Sequence, residues 1–183
     1  MPPQPVAYHG TVPPQPVPYR IDNDTNREVV DEPAALALLA TLADRRDLRA
    51  RGQRVATLRM LGRLDEAERE GRAAYELALQ EGTPQQQIAA LLRLAHVMQY
   101  RRAWGSADAM FDQALRQASE LGDALLLAFA HQHAGRNHVD QGRHAQAVAA
   151  FQAALTLREA HQAPADQLES SRGALRAAKA RLR

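Results

Sequence analysis

Gly62-Arg63-Leu64-Asp65-Glu66-Ala67 returns in weakened form forty residues later as Arg102-Ala103-Trp104-Gly105-Ser106-Ala107, and again as Gly142-Arg143-His144-Ala145-Gln146-Ala147. Alanine is abundant, so a triplet such as Ala67, Ala107 and Ala147 can arise by composition alone. Rarer residues decide the matter. Two of the three phenylalanines, Phe111 and Phe151, stand forty apart, and Gly82 and Gly122 punctuate the same register. Self-similarity at a fixed period of this length marks stacked supersecondary units, each too small to bury its apolar face alone. The expected fold class is all-α, an α-solenoid of three helix pairs between N-terminal and C-terminal capping helices.

Outward from the quoted stretch, a helix over 47–61 should turn at Gly62 and return over 65–81, ending at Gly82-Thr83-Pro84. The second pair should occupy 85–101 and 106–121, the third 124–141 and 145–161. Gly62 and Gly142 suit the left-handed residue that ends a helix, and Pro84 and Pro164 cannot continue one. The repeats are therefore placed at 47–84, 85–122 and 123–163. A capping helix is expected over 31–46, where Asp31 and Glu32 precede Pro33, a good first-turn residue. A second cap is expected over 164–183, where Leu168, Leu175 and Leu182 form one apolar stripe. Residues 1–30 read as a flexible proline-rich arm and linker: seven of the ten prolines lie in residues 1–20, and proline removes backbone donors and fixes φ. The arm is also the segment through which a homo-oligomer can form.

Composition narrows the function classes. With 45% hydrophobic residues in 183 there is enough apolar surface for one core, and no run of about 18 apolar residues predicts a membrane helix. Absence of cysteine excludes disulfides and thiolate chemistry, and the start of the chain lacks the basic-then-apolar pattern of a secretory leader; both fit a cytoplasmic location. The net charge of +2 is small for a nucleic-acid binder. No phosphate loop, nucleophile elbow or H-E-x-x-H motif is present, and His131, His133 and His138 are spaced poorly for chelation, so no enzyme activity, metal or cofactor is expected.

The pattern resembles the tetratricopeptide repeat, W-x2-L-G-x2-Y, then A-x3-F, then a terminal proline over about 34 residues. Ala107-x3-Phe111 and Ala147-x3-Phe151 match its second helix; Leu94-Ala95-x2-Met98 and Ala134-Gly135-x2-His138 match its first more loosely. Gly71 replaces the expected Phe, Arg54-Val55 replaces Leu-Gly, and the period of 40 is longer, similar to kinesin light chains and to bacterial peptide-responsive regulators. The resemblance implies a noncatalytic adaptor whose concave groove, lined by the first helix of each pair, binds a peptide or partner segment. It also implies an alternative, a peptide-responsive switch with the groove filled by the chain's own arm or a signalling peptide.

Transferring the family register places Arg49, Gln53, Arg93, His96, Tyr100, His133, Arg136 and Asn137 in that groove. Gln53, Arg93 and His133 stand forty apart and should form a polar ladder, and arginine forks bind carboxylates in a bidentate manner. The expected partner is another protein or peptide carrying acidic side chains or a free C-terminus. A chaperone-type carboxylate clamp is not supported, because the corresponding positions read Gly52, Ala56, Arg93, Phe129 and His133.

Overall fold

Four of the helices begin where a short side chain can accept a free backbone N–H. Asp31, Asp47, Thr83 and Asp123 accept from the amides of Ala34, Ala50, Gln86 and Leu126. At Thr83 the Gln86 side chain answers back to the Thr83 amide, closing a capping box, and Pro84 supplies a φ already suited to the first turn. The structure, a computed structural model, describes residues 17–21 and 28–182. Within them lie two short antiparallel strands, β1 (Tyr19–Ile21) and β2 (Glu28–Val30), and eight helices. These are α1 (Glu32–Leu42), α2 (Leu48–Met60), α3 (Leu64–Glu81), α4 (Pro84–Tyr100), α5 (Trp104–Leu121), α6 (Ala124–Asp140), α7 (His144–Ala160) and α8 (Ala165–Ala180).

The quoted repeat is the turn between paired helices. Gly62 and Gly142 hold φ of 73° and 72°. The amides of Arg63, Ala103 and Arg143 each donate to the carbonyl five residues back, Leu58, Met98 and His138, all at 2.9 Å. This is the helix-ending bond that requires a left-handed residue. Arg102 takes that conformation in the second repeat with φ 59°, at a steric cost glycine does not incur. Trp104 and Gly105, expected in the turn, belong to α5 because the motif delivers the chain straight into the next helix. Gly82 is extended, with φ −87°, whereas Gly122 is left-handed.

Burial repeats with the same period. Ala67, Gly71, Ala74 and Ala78 face inward from α3, and Ala107, Phe111, Ala114 and Ala118 do so from α5. On α7 the set is Ala147, Phe151, Ala154 and Arg158. Small residues let the helices approach closely, and the aromatics of the second and third repeats fill the space between. Burying such a side chain is worth about 1.5–3 kcal/mol. Helices pair in sequence order, and α4 touches both α2 and α6 along one side, the three forming the wall of the concave face.

The two ends of the stack depart from the repeat because each must hold a cap. Arg54, where the family has Leu, donates to the Leu42 and Arg45 carbonyls at 2.5 and 2.7 Å and to Glu70 Oε1 at 2.6 Å, so it fastens α1 to the first pair. Arg158, where earlier repeats have Ala, donates to Ser171 Oγ at 2.6 Å and to the Gln167 carbonyl at 2.9 Å, while Ser171 donates to Gln132 Oε1 at 2.7 Å. That buried network fastens α8. The stripe expected on α8 is corrected accordingly. Leu175 is buried and Leu168 half-buried, but Leu182 lies past the helix end and is exposed; Ser171 and Ala178 complete the inner face.

The segment expected to be a linker carries both strands, and Val17, ahead of them, packs with Ala35, Leu38, Leu42 and Ala50. The proline-rich stretch 1–16 lies outside the described residues.

Candidate concave binding surface

The concave wall is built from helices whose outer neighbours already satisfy most of their charge. Arg51 and Arg54 of α2 meet Glu70 across the antiparallel pair, Arg63 meets Glu66 one turn on, and Arg101 at the end of α4 reaches back to Asp65 and Glu68.

Of the predicted groove residues, Arg49 and Arg93 remain accessible, and among the described residues neither has an ion-pair partner. Arg93 lies along Gly52: a Cβ there would stand 3.0 Å from its Nε and Cζ. Glycine at 52 therefore gives the guanidinium its path. Beneath it Arg49, Gly52, Val55, Ala89, Ala90 and Arg93 line a cavity of about 200 Å³. Crowding by protein on the concave side pushes the Arg93 guanidinium below its usual pKa, although solvent still reaches it.

The expected polar ladder is interrupted. Gln53 is half-buried, and His133 is buried, with its ring centroid 4.1 Å from both His96 and Phe129; His96 also meets Phe111 edge-on at 5.6 Å. Burial, and then the cations around them, hold both imidazoles well below the ordinary histidine pKa. Two neutral rings in edge-on contact are thus part of the wall's packing and not a cationic rung. Asn137 is a second correction. It is buried and donates to Asp108 Oδ1 at 2.6 Å, beside Gln141 at 2.9 Å and Arg143 at 2.6 Å. Burial raises the Asp108 carboxyl, but the three donors outweigh it and leave it below the usual range. This hub joins α5 to α6 and to the turn before α7.

Tyr100 and Arg136 do reach the concave side, and they meet there on a residue of the chain itself. Glu28, from β2, places Oε2 2.5 Å from Arg59 Nη2 and 3.4 Å from the Tyr100 hydroxyl, and Oε1 3.6 Å from Arg136 Nη1. The Glu28 amide donates to the Tyr100 oxygen at 3.3 Å, and the Arg59 guanidinium lies 4.5 Å above the Tyr100 ring. The sequence reading missed Arg59, which lies outside the transferred register, and Glu28, which was read as linker. The adjacent Val29 and Val30 in a polar stretch were the available strand signal. On α6, Leu125 and Phe129 expose 44% and 42% of their surface at the mouth of the same face, one turn apart. Among the described residues no three His, Cys, Asp or Glu side chains gather as metal ligands would, and no helix is long and apolar enough to cross a membrane.

Comparison with known proteins agrees with this architecture. No curated protein matches the chain. The crystal structure of BtubC (BKLC) from P. vanneervenii superposes with a TM-score of 0.55 at 15% identity, over 82% of this chain and 68% of that one, which shows a shared helical-repeat fold. Residues 86–160, the helices α4 to α7, match the tetratricopeptide repeat family model. That span, with its recurring turn and its Ala-x3-Phe helices, carries the likeness of this chain to the tetratricopeptide repeat family.

Proposed function

We propose that the protein is a noncatalytic cytoplasmic adaptor whose concave surface holds an extended segment of another protein. The family is generally an interaction scaffold. The observation that carries the finer reading is the pair Arg49 and Arg93, accessible cations without an ion-pair partner among the described residues, set over the 200 Å³ cavity. A carboxylate, from an acidic side chain or a free C-terminus, matches their charge and the fork geometry of arginine. The exposed Leu125 and Phe129 on the same face offer an apolar contact beside it.

The test is capture from a random peptide library on the immobilised full chain. Enrichment of acidic or C-terminal carboxylate peptides is expected, with affinity lost in the double variant Arg49→Gln/Arg93→Gln and weakened by salt. His133 is left intact, because its ring packs in the wall. Captured peptides that bind the double variant undiminished, while its circular dichroism is unchanged, refute the assignment. A second reading, a regulatory switch whose groove is occupied by the arm or a signalling peptide, is favoured by the contact between Glu28 and the concave wall.

A further inference from the structure

Arg59, Tyr100 and Arg136 come from α2, α4 and α6, one from each repeat, and converge on a single carboxylate. Only 7% of the Arg59 side chain and 9% of the Glu28 side chain are exposed. Two guanidinium groups and a phenol are thus held around one glutamate in a largely dry site. Left empty, such a site would hold buried cations without a counter-charge, an arrangement far costlier than the filled one. Its requirement for a carboxylate is built into the stack, since moving any repeat against its neighbour separates the three groups.

The occupant, by contrast, is weakly tied. Glu28 rides on a hairpin of three residues per strand, too short to be stable alone. Besides this contact, Val17 and Val30, packed near α1, hold it down.

We propose that Arg59, Tyr100 and Arg136 form a carboxylate-binding site of the groove, that Glu28 fills it in cis as an internal ligand, and that an acidic residue of an incoming partner segment takes its place. This rests on the reading of the concave face as a site for acidic segments. It adds a second carboxylate position, distinct from Arg49 and Arg93, together with a gate. Partner binding requires release of the hairpin, and release is coupled to all three repeats at once.

The experiment uses the full chain, its Glu28→Gln variant (E28Q), and a fluorescent synthetic peptide of residues 17–32. A tethered segment competes at an effective concentration on the order of 1 mM, so a peptide with a dissociation constant of about 10 μM should bind the E28Q chain about a hundredfold more tightly than the wild-type chain. The same peptide carrying Glu28→Gln should bind neither, and adding Arg136→Gln to the E28Q chain should remove binding. In the E28Q chain, amide exchange in the hairpin should quicken while α2 to α7 keep their protection. Equal peptide affinity for the wild-type and E28Q chains, unaltered hairpin exchange, or tight binding of the substituted peptide would each overturn the proposal. A rise in affinity that depends on protein concentration would also overturn it, because it would place the arm in a second copy. If the E28Q chain fails to fold, Arg136→Gln alone keeps the Arg59–Glu28 pair and should still quicken hairpin exchange; no change there counts against the site. Arg49→Gln/Arg93→Gln added to the E28Q chain should leave the affinity for the 17–32 peptide within about twofold. The Glu28 site can therefore stand where the library experiment fails, and fail where it succeeds.

Discussion

Gly135 and Phe151 make a pair whose coupling can be worked out in advance. Gly135 lies within α6, where glycine costs about 1 kcal/mol relative to alanine. A Cβ at that position would stand 2.6 Å from Phe151 Cε1 and 2.7 Å from Cδ1, distances no unstrained contact reaches. Gly135→Ala therefore gains about 1 kcal/mol of helix propensity and loses about 1–3 kcal/mol to overpacking, a net change between zero and about 2 kcal/mol destabilising. Phe151 is almost fully buried, and Phe151→Ala alone should cost about 3–5 kcal/mol. With the ring gone the overpacking term vanishes while the propensity term remains, so Gly135→Ala should stabilise the Phe151→Ala chain by about 1 kcal/mol. The sign reverses, and the interaction energy is about 1–3 kcal/mol. Urea denaturation of the four chains of the cycle, compared at constant m, measures it. Effects that add within about 0.5 kcal/mol would show that the backbone yields and that glycine at 135 is not held there by Phe151.

Arg102 occupies the left-handed slot that glycine fills in the other two turns, so Arg102→Gly should stabilise by about 1 kcal/mol, a rise of about 2–4 °C in melting temperature; no rise would refute the strain. Stability should also fall on acidification below pH 6.5. His96 and His133 stay neutral in the fold, with pKa values well below 6.5, whereas the unfolded chain takes up protons on both as pH drops through that value. Their contribution is complete above about pH 6.5 and is lost toward pH 5 at up to about 1.4 kcal/mol per pH unit for each, and His133→Gln should flatten the slope of melting temperature against pH.

The repeat, its period and the location of the turns can be read from the chain without any structure, because these depend on residues whose roles are local. Glycine's access to positive φ at 62 and 142, proline's fit to the first turn at 84 and the small-residue spacing at 67, 107 and 147 are legible without knowing any neighbour. Boundaries of the paired helices read from those signals fall within about two residues of the observed ones.

Which polar side chains of the concave helices remain available emerges only from packing. A register argument places residues on a face but does not say what meets them there. It therefore could not show that His133 packs against His96 and Phe129, that Asn137 turns to Asp108, or that Arg59 and Arg136 spend their charge on Glu28, more than thirty residues and more than a hundred residues away. Arg54 and Arg158 make the same point at the two ends. Each breaks the repeat pattern, and each is explained only by the capping helix it fastens. Local rules set where the chain turns, because φ, ψ and helix periodicity are properties of neighbouring residues. The electrostatics of the groove follow from contacts between residues far apart in sequence, so they exist only once the stack has formed.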